Sequence, residues 1–377
     1  MKIIIESHIP FVDHRVFEGK AEVVRLDPED ITAQAVKDAD ALIVRTRTRC
    51  NADLLEGSRV RFVATATIGT DHIDLDYCRN HAIETVSAPG CNAPAVAQYV
   101  WSSVLRLDPS WRQKTIGIVG LGNVGSIVAR WGKALGAKII ACDPLRRQAE
   151  GGWDAANPCM AGSEPFVDLE TLAAQADIVT LHTPHTVDGP CPTHHLVDER
   201  FLSLMRPGSR LINAARGPVV DTPALLKALT ASQSAGRIAA PIIDCWEGEP
   251  AISQQLLSLC AIATPHIAGY SIEGKQRATA MAVAAALRHF HAIRNASTAV
   301  GQSTQSADTK AIAQSADAEA VLAAMPPQEH PGVALTPELI VSSYDPLADT
   351  EALRANPSPA AFESLRNHYP LRHEPGF

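Results

Sequence analysis

The stretch TIGIVGLGNVG, residues 115–125, decides the fold prediction for the middle of this chain. A β-branched run meets three glycines in the spacing G-x-G-x-x-G, and apolar residues then recur at helical intervals. In a strand–turn–helix unit, such glycines allow a tight turn, close approach of the backbone to a pyrophosphate and close helix–strand packing. The start of the helix adds free N–H groups and the positive end of its dipole. The stretch therefore predicts a dinucleotide-binding turn, with cofactor contacts at Gly120, Gly122, Asn123, Val124 and Gly125.

A second predicted strand, KIIACDP, ends in an acidic residue that favours one cofactor. Asp143 lies 18 residues after Gly125. A carboxylate at this distance binds the ribose hydroxyls of NAD and repels the 2′-phosphate of NADP. Arg146 and Arg147 weaken this preference, because a nearby arginine can accommodate that phosphate. The sequence favours NAD.

Composition excludes several classes of function. The chain has 377 residues, 46% hydrophobic and 20% charged, which is typical of a globular protein of two or three domains. A net charge of −8 argues against a nucleic-acid partner. No apolar run reaches the roughly 18 residues of a membrane span, and MKIIIESHIP is typical of a strand rather than a signal peptide. With eight scattered cysteines and no C-x-x-C pair, we expect a cytoplasmic protein with reduced thiols and no membrane partner.

One cluster of metal-binding residue types lies in the stretch GPCPTHH. Cys191, His194 and His195 could in principle bind a metal ion, but no second ligand pair lies nearby in the sequence. We therefore expect a solvated loop and no metal.

Strands alternate with helices on both sides of the glycine-rich turn. Residues 1–90 contain the runs KIIIE, EVVRL, ALIVRT, RFVATAT and IETVSA, separated by helical or turn-like segments. After the turn, the alternation continues through DIVTLHTP, RLINAARG and IAAPIIDCW. This pattern predicts parallel sheets covered on both faces. Pro241 cannot donate a ladder hydrogen bond, so the last strand begins after it or bulges there. The segment 148–166 breaks the pattern and predicts a surface loop.

The C-terminal part changes character twice. IEGKQRATAMAVAAALRHFHAI predicts a long helix that returns to the first domain. Residues 295–330 are rich in Ala, Ser, Thr and Gln, a composition that favours a linker. The tail 333–377 is short for an independent core, so we expect it to dock onto another surface.

Several motifs occur in the order of a known family: TATIGTDHID, APGCNA, HTPHTVDGP, INAARGPVVD, DCWEGEP and TPHIAGYSIEGK. Through them, residues 1–290 resemble the D-isomer-specific 2-hydroxyacid dehydrogenases. The resemblance extends to a subfamily that oxidises a phosphorylated 2-hydroxy acid on a route to pyridoxal phosphate. The tail SSYDP…FESLRNHYPLR is similar to the dimerisation domain of that subfamily.

The resemblance implies an α/β architecture of two doubly wound parallel-sheet lobes. A Rossmann NAD domain would be inserted into a flavodoxin-like substrate domain, with the active site in the cleft between them. A small C-terminal α+β domain would form a homodimer. The implied domains are 1–91 with 267–290 for the substrate, 92–266 for NAD, 291–332 as a linker and 333–377 for dimerisation.

The resemblance also implies the catalytic set. Oxidising a 2-hydroxy acid needs a base for the hydroxyl proton, a hydride acceptor and a cation for the carboxylate. His266 in ATPHIAG matches the base, and Glu249 matches the carboxylate that binds its imidazole. Glu247 is a rival on sequence alone, but the family's glutamate immediately precedes the proline. Arg216 in NAARG matches the arginine that holds the substrate carboxylate.

Further contacts follow from the same matches. Implied cofactor contacts are Thr183, Asp244 and Gly269, and implied substrate contacts are Thr46, Thr67 and Tyr270. In VRTRTRC, Arg45, Arg47 and Arg49 alternate and would share one face of a strand that persisted through them. On that face, Arg45 or Arg47 would bind a substrate phosphate. The alternative is a set of like charges that blocks edge pairing.

Two other functions stay open at this point. The catalytic residues do not distinguish the phosphorylated four-carbon acid from phosphoglycerate or another D-2-hydroxy acid. Some relatives of this fold act as NAD-sensing binding modules in transcriptional repression, and an intact catalytic set does not exclude that role.

Overall fold

The computed structural model describes residues 1–149, 166–231, 238–299 and 315–377. Contacts within the chain define two compact units. Unit 1 comprises Met1–Asn92 and Glu273–Gln328, and unit 2 comprises Ala93–Ile272 and Glu329–Phe377. The surface loop predicted at 148–166 lies almost wholly outside the described residues. None of the helices described has the length and apolar character needed to cross a lipid bilayer.

Short strands and helices alternate along the described residues, as the β-branched runs and their spacing predict. The strands are β1 (Lys2–Glu6), β2 (Glu22–Leu26), β3 (Ala41–Val44), β4 (Phe62–Thr65), β5 (Glu84–Val86), β6 (Thr115–Val119), β7 (Lys138–Cys142), β8 (Ile178–Leu181), β9 (Arg210–Asn213), β10 (Ile242–Ile243) and β11 (Ile262–Ala263). The helices are α1 (Ala33–Val36), α2 (Ala52–Leu55), α3 (Leu75–Asn80), α4 (Ala93–Leu107), α5 (Asn123–Leu135), α6 (Pro144–Ala149), α7 (Leu169–Gln175), α8 (Glu199–Leu204), α9 (Thr222–Ala231), α10 (Gln254–Leu259), α11 (Ile272–Ala299), α12 (Ala316–Ala323), α13 (Pro337–Ser343), α14 (Pro346–Ala355) and α15 (Pro359–Asn367). Short 3₁₀ turns lie at His14–Phe17, Pro28–Asp30, Trp111–Gln113 and Gly217–Val219.

Unit 1 is built on a parallel sheet in the order β2-β1-β3-β4-β5. This is the flavodoxin-like order, and it confirms the doubly wound lobe expected for residues 1–91. Side chains of β1 alternate between two apolar clusters. Ile3 and Ile5 pack in the cluster that contains Phe290 of α11, whereas Ile4 packs in the cluster that contains Leu54 of α2. The sheet is therefore covered on both faces.

Unit 2 is built on a six-stranded parallel sheet in the order β11-β10-β9-β8-β6-β7. An isolated bridge between Ala141 and Phe166 adds one more position beside β7. Strand order reverses at β6, which pairs with both β7 and β8, and ligands of open α/β sheets bind at such a switch point. Strand β10 begins directly after Pro241, whose carbonyl accepts a hydrogen bond from the Ala261 N–H at 2.8 Å. The Rossmann-type lobe is confirmed.

The predicted arginine face is wrong, because β3 ends at Val44 and residues 45–49 turn away from the strand direction. The cause is the buried carboxylate of Glu6, which lies at the end of β1 and is 1% exposed. Glu6 Oε2 accepts hydrogen bonds from the Arg45 N–H and the Thr48 hydroxyl, both at 2.8 Å. A buried carboxylate needs such donors, and supplying them bends the chain. Period-two spacing therefore does not align Arg45 with its neighbouring arginines.

The predicted linker at 291–332 is wrong for the residues that are described. Helix α11 continues to Ala299, and α12 is part of unit 1, where Ala318 is fully buried in the cluster that contains Phe290. An ion pair of 2.7 Å joins Arg288 of α11 to Glu319 of α12. Alanine-rich composition also favours helices, and here burial of a small side chain stabilises one. Residues 300–314 of the predicted linker lie outside the described part of the chain.

The tail is helical rather than α+β. Among residues 315–377, the structure assigns helices and only one isolated bridge, between Ser271 and Arg372. Helices α13 to α15 each begin with a capping side chain followed by proline, a pair that favours a helix start and cannot serve a central strand. The capping pairs are Thr336–Pro337, Asp345–Pro346 and Ser358–Pro359.

These tail helices pack on unit 2 and do not form a separate unit. Ile340, Leu353 and Phe362 are fully buried within its two apolar clusters. Residues 267–272 also group with unit 2, so the boundary expected at 267 lies at Glu273 instead. Docking of the short tail agrees with its small capacity to bury a core of its own.

We predict that His72 makes the stability of unit 1 depend on pH. His72 is 8% exposed, its Nε2 lies 3.0 Å from Thr65 Oγ1, and burial lowers its pKa to about 4. Below pH 6.5 the unfolded chain takes up a proton that folded His72 does not. The contribution of neutral, buried His72 to the free energy of unfolding is therefore complete above pH 6.5. It is lost as the pH falls towards 4. Denaturant titrations at several pH values between 4 and 6.5 give the free energy of unfolding as a function of pH. In the His72→Gln variant this free energy should change less steeply than in the wild type, by up to about 1.4 kcal/mol per pH unit.

The control for this prediction is His14→Gln, since His14 is exposed in the same unit. An unchanged slope in the His72 variant would contradict the assignment.

Candidate active site

The glycine-rich turn follows β6 and fits a pyrophosphate. Gly120 has φ +88°, and a Cβ there would lie 2.9 Å from the His182 carbonyl and 3.0 Å from Thr183 Cγ2. A Cβ on Gly125 would lie 1.9 Å from the Gly120 oxygen, so this glycine lets α5 pack against the turn. A Cβ on Gly122 would meet nothing within 4 Å, which leaves its backbone open to a ligand. Thr183, expected at the cofactor, lies beside the turn.

The expected ribose-binding carboxylate lies at the end of β7. Asp143 Oδ2 accepts the Leu121 N–H at 2.8 Å, and Oδ1 accepts the Arg146 N–H at 2.9 Å. Each oxygen keeps a second lone pair for a ribose hydroxyl. The Arg146 guanidinium donates to the Leu121 carbonyl and, at 2.7 Å, to Ser126 Oγ. The side chain of Arg147 lies outside the described residues. Asp143 is thus fixed against the turn in a position suited to NAD.

A histidine–carboxylate pair lies at the carboxyl ends of β10 and β11. His266 Nδ1 lies 2.8 Å from Glu249 Oε2, and Glu249 Oε1 accepts the Trp246 N–H at 2.7 Å. The two side chains are 28% and 19% exposed. When the imidazole donates Nδ1–H to this carboxylate, Nε2 carries the free lone pair of the neutral ring. The geometry therefore offers Nε2 as a base.

Charges around Glu249 keep it ionised. Burial raises the pKa of its carboxyl, but His266, the Trp246 N–H and the Arg366 guanidinium lower it more, so the pKa lies below its ordinary value. An ionised carboxylate stabilises the imidazolium that forms when His266 accepts a proton.

Asp244 shapes the turn that carries His266. Asp244 is 1% exposed, and its Oδ1 accepts hydrogen bonds from Thr264 Oγ1 at 2.7 Å and the Ile267 N–H at 2.8 Å. Oδ2 accepts the Ala268 N–H at 3.0 Å, and the Asp244 carbonyl accepts the His266 N–H at 2.9 Å. Burial raises the pKa of the Asp244 carboxyl. The carboxylate expected near the nicotinamide thus points into the turn, and Gly269 follows that turn directly.

Arg216 follows β9, the strand next to β10. The Asn213 amide donates to the carbonyls of Arg216 and Cys245, both at 3.0 Å. A Cβ on Gly217 would lie 2.0 Å from the Trp246 carbonyl oxygen, so the loops after β9 and β10 touch at their backbones. Arg216, Glu249 and His266 therefore follow three neighbouring parallel strands, at the sheet edge where α/β proteins bind ligands.

Glu247, the sequence rival of Glu249, holds a different histidine. Its Oε1 lies 2.6 Å from His195 Nε2, and its Oε2 accepts the Thr222 N–H at 3.1 Å. His194 stacks on His195 with ring centroids 4.0 Å apart, and its Nδ1 lies 3.0 Å from His185 Nε2. Cys191, His194 and His195 lie in a segment without helix or strand, as expected for a loop, and the His195 side chain is 34% exposed.

One possible metal set exists among the described residues. Ligand atoms of Cys245, Glu249 and His266 lie within 4.8 Å of one another. Burial raises the pKa of the Cys245 thiol well above its ordinary value, so the sulfur stays protonated. Glu249 and His266 are hydrogen-bonded to each other, and Cys245 supplies no thiolate. This set therefore lacks the free, negatively charged ligands that a metal ion prefers.

The substrate residues expected in unit 1 lie on two loops. Thr67 Oγ1 lies 2.7 Å from Thr65 Oγ1 and donates to the Gly69 carbonyl at 3.0 Å. Thr46 and Arg47 are exposed in the turn after β3, while Arg45 Nη1 donates to the His8 carbonyl at 3.2 Å.

Tyr270, expected at the substrate, lies in unit 2 against the tail. Its hydroxyl accepts a hydrogen bond from Arg366 Nε at 3.3 Å, and its ring meets that of Tyr369 edge-on. Sequence reasoning missed Arg366 and Arg372. Their only signal was the run FESLRNHYPLR, which carries no recognisable chemical spacing.

Comparisons with known proteins show which proteins the chain is similar to. The family model "D-isomer specific 2-hydroxyacid dehydrogenase, NAD binding domain" matches residues 93–268. An erythronate-4-phosphate dehydrogenase of Bacteroides thetaiotaomicron is 40% identical over 99% of this chain and 97% of its own length. One from Pseudomonas entomophila is 41% identical over 99% and 92%. The solved structure of D-mandelate dehydrogenase from Rhodotorula graminis shares the fold, with a TM-score of 0.61, 24% identity and coverage of 74% of this chain and 92% of that chain.

The fold and these matches define a class: an oxidoreductase that uses NAD. The chain belongs to the D-isomer specific 2-hydroxyacid dehydrogenase family.

We predict that two glycines of the turn fail in different ways when replaced by alanine. Gly125→Ala forces a Cβ to within 1.9 Å of a backbone oxygen, so the turn must move, at a cost of about 1–3 kcal/mol. Gly122→Ala meets open space and should keep the melting temperature within a degree or two of the wild type. Its methyl group occupies the approach of the pyrophosphate, so NAD affinity should still fall.

Thermal melts and NAD titrations on both variants separate the two roles. Equal melting temperatures would contradict the packing role of Gly125.

Proposed function

We propose that this chain oxidises 4-phospho-D-erythronate to (R)-3-hydroxy-2-oxo-4-phosphooxybutanoate with NAD, a step on a route to pyridoxal phosphate. The observation that carries the reaction type is the 2.8 Å contact between His266 and Glu249. These residues follow β11 and β10, and Arg216 follows the neighbouring strand β9. The substrate is supported by the names of relatives about 40% identical over nearly their whole length. With phosphoglycerate or another D-2-hydroxy acid as the substrate, Arg216, Glu249 and His266 would have the same roles.

Arg216 supplies the cation for the substrate carboxylate. A planar guanidinium can hold a carboxylate through two hydrogen bonds and so orient the carbon that bears the hydroxyl. The Arg216 carbonyl accepts a hydrogen bond from Asn213, and Gly217 packs closely against the Trp246 backbone. The backbone that carries the guanidinium is therefore held in place.

His266 takes the hydroxyl proton on Nε2 while Glu249 holds Nδ1–H. NAD, when bound at the glycine-rich turn, supplies the hydride acceptor. The C2 hydroxyl thus becomes a carbonyl, its proton moves to the imidazole, and Glu249 stabilises the positive charge. Arg216 stabilises the developing carbonyl oxygen as well as the carboxylate.

Other residues are proposed as substrate contacts. Thr46, Thr67 and Tyr270 supply hydroxyl groups, and Arg45 or Arg47 supplies a positive charge. Arg47 is exposed in the turn after β3, whereas Arg45 is half-buried and donates a hydrogen bond to the His8 carbonyl.

The tail and the cysteines support two further proposals. We infer a homodimer, because the tail is similar to a dimerisation domain. We also infer a cytoplasmic location, because the eight cysteines are scattered and form no C-x-x-C pair. A measurement of the molecular mass in solution tests the homodimer, which should have twice the mass of one chain.

The function is tested by following NADH formation from NAD with 4-phospho-D-erythronate, with 3-phospho-D-glycerate and with unphosphorylated D-2-hydroxy acids. A 2-oxo acid is included as acceptor, so that reduced cofactor retained on the protein does not hide turnover. The proposal expects the highest kcat/KM for 4-phospho-D-erythronate. NAD binding with no turnover of any acid would favour a binding module in its place.

We predict that Glu249→Gln and Glu247→Gln differ sharply although they lie two residues apart. Loss of the Glu249 charge removes the stabilisation of the imidazolium, so kcat should fall by about 10²-fold or more. Glu247 binds His195 and α9 instead, and its replacement should cost at most about 10-fold.

Steady-state kinetics on both variants, with NAD affinity measured in parallel, check this assignment. A larger loss for Glu247→Gln would show that the rival carboxylate supports the reaction.

A further inference from the structure

The C-terminal tail is fastened to the segment that follows His266. Arg372 is 9% exposed, and its guanidinium donates to the carbonyls of Ile267 and Tyr270, both at 3.1 Å, and to that of Ala268. Its backbone pairs with Ser271. Burying a guanidinium is costly unless its donors are satisfied, so these bonds fix the tail in one position. The tail is therefore a rigid part of the surroundings of the active site.

From this tail, α15 places a second guanidinium beside Tyr270. Phe362 of α15 is fully buried and fixes the helix. Arg366 Nε donates to the Tyr270 hydroxyl at 3.3 Å, while the Arg366 side chain is 20% exposed. The carboxylate paired with it is Glu363, at 3.9 Å and itself 43% exposed, a weak partner. Arg366 thus presents a positive charge next to a phenol.

This charge is felt at the catalytic pair. The Arg366 guanidinium lowers the pKa of the Glu249 carboxyl, which binds His266. The hydrogen bond of Arg366 to Tyr270, in the segment that follows His266, places Arg366 near the reacting end of unit 2, although Arg366 lies beyond the residues 93–268 that the family model matches.

The proposed substrate carries two anionic groups, a carboxylate and a phosphate. Arg216 is assigned to the carboxylate, so a phosphate needs a second cation, and Arg366 is a candidate besides Arg45 and Arg47 of the turn after β3. Guanidinium groups bind phosphate through charge-assisted hydrogen bonds, and a phenol adds one more donor. We propose that Arg366 and Tyr270 form the subsite that receives the phosphate of the substrate, so that the tail selects phosphorylated over unphosphorylated 2-hydroxy acids. This inference rests on the proposed function.

The test compares Arg366→Gln and Arg366→Lys with a matched control, Arg354→Gln. Arg354 lies on α14 of the same tail and donates to the Cys260 carbonyl, away from Tyr270. For each protein, KM and kcat are measured with 4-phospho-D-erythronate and NAD. D-erythronate is measured as a substrate and as a competitive inhibitor, so that it reports on binding even if its turnover is slow.

In Arg366→Gln we expect KM for the phosphorylated acid to rise about 10–100-fold with kcat within about 3-fold, because one charged hydrogen-bonding group is lost. Constants for D-erythronate and the affinity for NAD should stay within about 2-fold. Arg366→Lys should recover part of the loss, and Arg354→Gln should behave as the wild type.

Equal losses for the phosphorylated and unphosphorylated acids would overturn the subsite and leave Arg366 a structural role. A loss confined to the phosphorylated acid in Arg47→Gln, with none in Arg366→Gln, would move the subsite to the turn after β3. Failure of the proposed function looks different: the wild type itself would not turn over 4-phospho-D-erythronate. In that case the pair 3-phospho-D-glycerate and D-glycerate reads out the same selectivity.

Discussion

The candidate active site of unit 2 depends on the carboxylate of Asp244. Asp244 is 1% exposed, and its carboxylate binds the N–H groups of Ile267 and Ala268 together with the Thr264 hydroxyl. A carboxylate that loses water must find such donors, and finding them here bends the chain at His266 to φ +57°. Non-glycine residues adopt this conformation only where their surroundings impose it. The bend delivers the imidazole to Glu249 and leads the chain on to Tyr270, where the tail attaches.

The parts of this site that sequence reasoning could predict are those with a short-range signature. The spacing of Gly120, Gly122 and Gly125 reports backbone geometry directly, because a Cβ at two of these positions would collide with the turn. Family motifs then predicted His266, Glu249 and Arg216. Residue type alone could not separate Glu249 from Glu247. That choice depends on which imidazole each carboxylate reaches, His266 or His195, and these lie far apart in the sequence.

The errors have one physical origin, namely partners that are distant in sequence. Glu6 ends β3 early by binding the Arg45 N–H, 39 residues away, so the period-two arginine face does not form. Burial of Ala318 in the core of unit 1 stabilises α12, where composition alone favours a linker. In the tail, the prolines at the helix starts were visible in the sequence. The position in which the tail docks was not, because the Arg372 side chain donates to carbonyls more than 100 residues earlier. Local periodicity carries no information about such contacts.

In the proposed reaction the hydrogen on C2 moves to NAD as a hydride, and His266 removes only the hydroxyl proton. The most direct measurement follows the fate of deuterium from 4-phospho-D-erythronate labelled at C2, with NAD and the wild-type protein. Mass spectrometry of the recovered reduced cofactor should show one deuterium on its nicotinamide ring, with none released to water. Deuterium found in the solvent would show that the C2 bond is broken by proton removal, and would contradict the assignment of His266, Glu249 and Arg216 to hydride transfer.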